Sequence, residues 1–157
     1  MYVSTALPDP LTRSDAYDGV LAKRAFAWVI DTILIAGLTL LAVLATALTG
    51  LFILPMLFMT IGFVYRWVSL TSSSATPGMR LCGLRLLTRE AAPFDAATAF
   101  LHTLGFTLSM SFVLPQVISI GSMLLSPRGQ GLTDHILGTA AINRASLPLW
   151  GAEGGFR

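Results

Sequence analysis

Three long apolar segments dominate the pattern of hydrophobic and polar positions along the chain. They cover residues 22–48, 51–70 and 96–125. About 20 apolar residues in a helix cross the hydrocarbon core of a bilayer, so the first two segments are long enough to be membrane spans. Only Thr49 and Gly50 separate them, and no charged residue occurs between Thr32 and Tyr65. This pattern predicts a short and nearly buried connection.

The third apolar segment contains Pro115 near its middle, and two interpretations fit it. One long helix, kinked at this proline, would cross once and leave the C-terminus outside. Two shorter helices, broken near Leu114 and Pro115, would form a hairpin or a re-entrant pair and return the C-terminus to the inside. Each half has about 15 residues, which is short for a complete span. The arginines that follow prefer the inside and favour the hairpin: Arg128, Arg144 and Arg157.

Composition identifies the chain as a membrane protein. The 157 residues are 54% hydrophobic and 11% charged, whereas soluble domains carry about 25% charged residues. We therefore predict an all-α membrane protein, a small transmembrane helical bundle with two firm spans and a third, proline-broken apolar segment. The predicted division is a polar, mobile N-terminal tail over residues 1–21, a membrane domain over residues 22–145 and a C-terminal tail over residues 146–157.

The basic residues predict the orientation. They flank both spans, and the Thr49–Gly50 connection has none. The flanking residues are Arg13, Lys23 and Arg24 on one side and Arg66, Arg80, Arg85 and Arg89 on the other. By the positive-inside rule both flanks lie in the cytoplasm, which places the N-terminus inside. The net charge of +2 is small and the arginines lack accompanying stacking aromatics, so nucleic acid is not an expected partner.

Two polar segments connect and follow the apolar ones. In the first, residues 76–78 (Thr-Pro-Gly) predict a turn, and residues 80–88 alternate loosely between apolar and basic side chains. This alternation predicts a short strand or an amphipathic piece at the membrane interface. Asp95 is a favourable helix N-cap before the third apolar segment. The second polar segment, residues 126–145, predicts a short amphipathic element.

The first span carries a pair of opposite charges. Arg24 and Asp31 are about two helical turns apart and therefore project from one face of the helix. An isolated carboxylate in an apolar region becomes neutral, whereas a nearby guanidinium favours its ionised form. Two interpretations stay open. The pair belongs to a network that fixes helix packing, or it forms an ion or proton site in which Asp31 exchanges its partner.

The remaining candidate side chains carry weaker signals. His102 either satisfies a backbone carbonyl or a lipid headgroup, or relays a proton to Asp31. His135 follows Asp134 and fits an exposed surface histidine better than a partner that tunes the carboxylate. Arg80, Arg85 and Arg89 form a basic strip, which suits a topology determinant and alternatively an anionic-lipid site.

Three local patterns occur together and in order. They are Arg24 followed by Asp31, TPGMRLCGLRLL over residues 76–87, and SPRGQGLTDHILGT over residues 126–139. In this combination the chain resembles the RDD family of small bacterial membrane proteins, named for one arginine and two aspartates. The resemblance covers residues 20–145.

The resemblance implies that Arg24 is the arginine of the family and that Asp31 and Asp134 are its two aspartates. Met79 departs from the pattern because a lysine often follows the Thr-Pro-Gly sequence, and Thr133 stands where a histidine often precedes the second aspartate. The family implies a bacterial inner-membrane location and an involvement in transport, without naming a ligand.

We expect a non-enzymatic membrane protein with no cofactor and no metal site. The sequence contains no nucleophile elbow, phosphate-binding loop, dinucleotide fingerprint or zinc-protease motif. Cys82 is the only cysteine, which excludes an internal disulfide. Expected partners are the lipid bilayer and, through small residues in the spans, a second copy of the chain or another membrane subunit. The functional hypotheses are transport of an ion or small ligand and a structural or assembly role.

Overall fold

The protein is a helical bundle with one very small β-sheet, in a computed structural model that describes residues 5–147. The predicted all-α membrane fold is confirmed. In chain order its helices and strands are α1 (Val20–Ala45), α2 (Leu54–Ser73), α3 (Pro77–Leu81), β1 (Leu84–Leu87), α4 (Ala96–Ser111), α5 (Val113–Leu125), α6 (Leu132–Leu137) and β2 (Ala140–Asn143). Short 3₁₀ turns lie at Ser14–Ala16, Thr49–Ile53 and Arg144–Ser146.

Helices α1 and α2 are long and apolar enough to cross a membrane. Most of their surface is exposed apolar side chain, as expected for helices that contact lipid. The connection between them is the predicted short one and continues as the 3₁₀ turn Thr49–Ile53. Pro55 occupies the first turn of α2, where its missing N–H has no intrahelical acceptor to lose.

The third apolar segment is divided into α4 and α5, whose axes are bent by 116°. The break lies at Phe112, which is extended with φ −129° and ψ 133°. It precedes the expected position at Leu114 and Pro115, because Pro115 is accommodated in the first turn of α5. Both helices pack on α6, so the chain turns back toward the end from which α4 began. This geometry agrees with the hairpin interpretation. Asp95 caps α4 as predicted and accepts a hydrogen bond from the Thr98 N–H at 2.8 Å.

A two-stranded antiparallel sheet joins β1 to β2, with Leu84 opposite Asn143 and Leu87 opposite Ala140. The sheet lies beyond the polar ends of α1 and α2, and we call this region the polar end. Leu84, Leu86 and Leu87 of β1 are fully buried. They join Val20, Leu70 and Phe94 in one core cluster, and Leu7 and Ile142 in another.

The segment that precedes α1 is packed against this sheet from residue 5 onward, which corrects the prediction of a mobile tail for the described part of residues 1–21. The Asn143 side-chain amide donates to the Asp15 and Asp18 carbonyl oxygens at 2.8 and 2.9 Å. Leu7 is buried against the sheet residues of the second cluster. A segment without an apolar run of its own is therefore held by backbone hydrogen bonds and one inserted leucine. The predicted C-terminal tail lies outside the described residues from position 148 onward.

The core of the polar end gives a direct stability test. Leu86→Ala removes a fully buried side chain of the first core cluster and should lower the free energy of unfolding by roughly 2–5 kcal/mol. Leu11→Ala is the matched control, because Leu11 is 93% exposed and its truncation should change stability by less than about 0.5 kcal/mol. Thermal unfolding in mild detergent measures both, and equal effects would contradict the assigned core.

Candidate functional site

Asp31 lies on α1 with its carboxylate enclosed by hydrogen-bond donors of two other elements. The Tyr65 hydroxyl donates to Oδ1 at 2.7 Å and the Gly78 N–H donates to the same oxygen at 2.9 Å. The Thr76 hydroxyl donates to Oδ2 at 2.5 Å. Arg66 Nη1 lies 3.8 Å from Oδ2 as the nearest positive charge. The side chain is only 1% exposed, so the protein itself satisfies this carboxylate.

The Thr-Pro-Gly sequence builds this enclosure. Thr76 is the N-cap of α3, where its hydroxyl oxygen accepts from the Met79 N–H, and Pro77 starts the helix. The first free N–H of α3 therefore points at Asp31. A Cβ at position 78 would overlap the Ala27 carbonyl oxygen and lie 2.8 Å from Asp31 Oδ1. Glycine at this position allows α3 to approach α1.

Asp134 forms a second enclosed carboxylate, on α6. Arg24 Nη1 lies 2.7 Å from its Oδ2 but off the direction of a good hydrogen bond, so this contact is an ion pair. The Gly131 N–H donates to Oδ2 and the Thr139 hydroxyl donates to Oδ1, each at 3.0 Å. His102 Nε2 lies 2.9 Å from Oδ1. The elements α1, α4 and α6 thus meet at one carboxylate that is 1% exposed.

The three residues grouped by the sequence are divided between two centres. Arg24 pairs with Asp134, whereas Asp31 pairs with Arg66. Arg24 and Asp31 both lie on α1, but Arg24 reaches Asp134 on α6 and Asp31 reaches Arg66 on α2. Sequence spacing within one helix cannot reveal such partners. The sequence marks Arg66 only as part of a basic flank, although Tyr65 donates a hydrogen bond to the buried Asp31 and Arg66 is its counter-charge.

The two histidines also take definite places. His102 contacts Asp134 and lies at a tilted angle to the Phe94 ring, with ring centroids 5.4 Å apart, which corrects the hypothesis of a relay to Asp31. The reason is that α4 packs on α6. His135 is exposed, as the simpler interpretation predicted. Arg80 and Arg85 lie away from both carboxylates and line a separate cavity with Arg144.

A cavity of about 460 Å³, which we call the central cavity, lies between α1, α2, α4 and α5. Its polar lining residues are Arg24, Arg66, Thr76, His102, Thr103 and Gln116. Most of the remaining lining is apolar: Leu21, Ala25, Trp28, Leu70, Met79, Phe106, Met110, Ile120, Met123 and Leu124. Neither Asp31 nor Asp134 lines it. The cavity is therefore lined by Arg24 and Arg66, the cationic members of the two ion pairs, and not by the carboxylates that pair with them.

The electrostatics of the second centre follow from its partners. Burial by itself favours the neutral acid, but the charge of Arg24 and the hydrogen bond with His102 outweigh it and hold the pKa of Asp134 well below its usual range. Asp134 is therefore ionised at neutral pH and fixes the guanidinium of Arg24. At the first centre, the Arg66 guanidinium lies over the Phe106 ring, 4.4 Å from its centroid.

A family model described as the RDD family matches residues 19–138, which is most of the chain. Neither a curated protein nor a solved structure matches the chain. The matched region contains both aspartates and their partners except Thr139, and it ends just before β2.

The contact between α1 and α3 gives a prediction with an internal control. Gly78→Ala should destabilise the protein by roughly 1–3 kcal/mol or more, because the added methyl group overlaps Ala27 and Asp31 atoms. Gly37→Ala, in α1, meets no atom within 4 Å and should leave stability equal or raise it by up to about 1 kcal/mol. Thermal unfolding in detergent separates the two. Equal midpoints would contradict the close approach at Gly78.

The second centre predicts a pH dependence. The folded-state pKa of Asp134 is depressed, so its ionisation stabilises the fold above the unfolded pKa of about 3.9 and this contribution is lost as the pH falls toward the folded pKa. Unfolding midpoints should be steady near neutral pH and fall below about pH 4. Asp134→Asn should lower the free energy of unfolding at pH 7 by roughly 3–5 kcal/mol. It should also reduce the decrease of the unfolding midpoint below about pH 4. An equal decrease of the unfolding midpoint below about pH 4 in the wild type and in Asp134→Asn would contradict this assignment.

Proposed function

The chain belongs to the RDD family, and on that premise we propose that it is a membrane transport protein whose central cavity binds a small amphipathic anion. The observation that supports the proposal is the placement of Arg24, Arg66 and His102 on one largely apolar cavity. Ligand sites of this kind combine apolar walls with a few convergent polar groups that fix orientation. The bilayer is the source from which an amphipathic ligand reaches such a cavity.

The charge arrangement supports an anion over a cation. A cation would need carboxylate oxygens as ligands, but Asp31 already accepts three hydrogen bonds from Tyr65 and the Thr76–Gly78 turn. Asp134 is likewise held by donors on α4 and α6 as well as by Arg24. Guanidinium groups carry several N–H donors in a fixed fork, so an arginine paired on one side still offers donors on the other.

In this proposal the two aspartates are positioning residues. Asp31 and Asp134 hold the guanidinium groups of Arg66 and Arg24 against the cavity wall. Each arginine side chain is 12% exposed, so part of each guanidinium group remains accessible for contact with a ligand. The anionic end of the ligand faces these groups, and its apolar part packs on the methionine and aromatic side chains.

The orientation we propose places the polar end and the N-terminus in the cytoplasm of a bacterial cell, with the bundle in the inner membrane. The basic flanks of α1 and α2 support this by the positive-inside rule. The central cavity would then open from the cytoplasmic half of the bilayer.

A structural or assembly role is the second candidate. The saturation of both buried carboxylates by protein donors favours it, since neither Asp31 nor Asp134 has to exchange a partner to stabilise the fold. In that role the central cavity would be filled by lipid or by a neighbouring subunit and would show no preference for charge.

A permanently charged probe distinguishes these functions. Octanesulfonate should raise the unfolding midpoint of the protein in neutral detergent by several degrees, and octanamide at the same concentration should not. Arg66→Met should abolish most of this response. It removes a cavity-lining charge, and Asp31 keeps its three hydrogen bonds. Gln116→Met should weaken probe binding roughly tenfold by removing one donor to a charged ligand. Labelled octanesulfonate should also enter proteoliposomes of the wild type faster than those of Arg66→Met.

Gly37→Ala is the control for this experiment. Gly37 does not line the central cavity, and a Cβ added there meets no atom within 4 Å, so the substitution should leave stability equal or raise it by up to about 1 kcal/mol. The probe response should be retained in this variant. If the folded wild type responds equally to the anionic and the neutral probe, the structural role is correct and the transport proposal is wrong.

A further inference from the structure

A second cavity, of about 430 Å³, lies at the polar end where α2 ends beside β1, and we call it the basic cavity. Its lining includes the side chains of Arg80, Arg85 and Arg144 together with Ser72 and Ser73. It shares no lining residue with the central cavity. A function assigned to it therefore stands independently of the proposed transport.

The fold brings the three arginines together from three places in the chain. Arg85 lies on β1 between Leu84 and Leu86, and these two leucines are buried in the core, so strand alternation directs Arg85 to the other face. Arg144 directly follows β2, and its N–H donates to the Gly83 carbonyl oxygen at 2.7 Å. This bond fixes it beside the start of β1. Arg80 is in the last turn of α3.

No acidic side chain of residues 5–147 neutralises this cluster. The ion pairs within that range involve Asp15, Asp31 and Asp134, none of which lines the basic cavity. The Arg85 Nε is buried and has no hydrogen-bond partner within the same range. Arg80 and Arg144 are exposed to solvent, so the cost of burial falls on the unused Arg85 donor alone, while the three like charges repel one another; an anion that joins them removes both effects.

The hydroxyl groups of the cavity do not supply the missing partner. Ser72 donates to the Ser69 carbonyl oxygen at 3.1 Å, and Ser73 donates to the carbonyl oxygens of Ser69 and Ala75 at 3.0 and 2.8 Å. The donors available to a ligand are therefore those of the guanidinium groups. Arginine forks match the oxygen geometry of a phosphate group and bond it bidentately.

We infer that the basic cavity is a binding site for a phosphate group, held by Arg80, Arg85 and Arg144. Its position at the end of a membrane-spanning helix is the depth at which a phospholipid headgroup lies. A soluble phosphate or phosphate ester presents the same chemistry to the three arginines. The site thus recognises the phosphate group itself, and the experiment below distinguishes a lipid headgroup from a soluble phosphate.

The test uses the full chain in neutral detergent. Inorganic phosphate, titrated against chloride at constant ionic strength, and mixed micelles containing phosphatidylglycerol in place of phosphatidylcholine are the two probes. At least one should raise the unfolding midpoint of the wild type by several degrees. Arg85→Gln and Arg144→Gln should each raise the dissociation constant roughly tenfold or more, since each removes a charge-assisted contact. Arg144 is exposed, so its variant remains informative if Arg85→Gln fails to fold.

Arg13→Gln is the matched control, because it removes the same charge from the polar end outside the basic cavity. Its response to both probes should equal that of the wild type. A response to inorganic phosphate identifies a free phosphate as sufficient, and a response confined to phosphatidylglycerol identifies the headgroup; both support the site. Unchanged midpoints with both probes, or an equal loss in Arg13→Gln, would overturn it.

Discussion

Two aspartates buried among apolar helices impose the constraint that the other elements satisfy. A carboxylate in such surroundings stays ionised only when several donors converge on it. Asp31 obtains them from α2 and from the start of α3, and Asp134 obtains them from α1, α4 and the ends of its own short helix. Each carboxylate therefore joins long apolar helices to a short helix, and α3 and α6 are held in place by these contacts.

The sequence predicted the membrane spans because a continuous apolar segment is stable in a bilayer as a helix, in which the backbone N–H and C=O groups bond to one another. It also predicted the N-cap at Asp95 and the break in the third apolar segment, which depend on local chemistry. It did not predict β2, because Ala140–Asn143 has no alternating pattern and is a strand only through its pairing with β1. The same holds for most partners of the two aspartates, since Arg66, Arg24 and His102 reach them only after distant segments of the chain meet.

The arrangement separates charge that supports the fold from charge that is open to a ligand. The carboxylates are enclosed, whereas Arg24 and Arg66 retain exposed surface on the central cavity. At the polar end the arginines of the basic cavity have no acidic neighbours in the described part of the chain. Charged groups are rare in apolar helices and are therefore informative about binding. The charged side chains that line the two cavities are arginines, and no acidic residue lines either one.

The long reach of the polar contacts has a consequence for biosynthesis. Gly78 lies 47 positions after Asp31, whereas Asn143, which accepts a hydrogen bond from Lys23, lies 120 positions after its donor. A growing chain can thus enclose Asp31 while α4 and α5 are still inside the ribosome, but Lys23 and the sheet must wait until β2 has been synthesised. Until then the unpaired β1 edge and the basic start of α1 remain hydrated at the membrane surface, so insertion of the first helical pair precedes closure of the polar end.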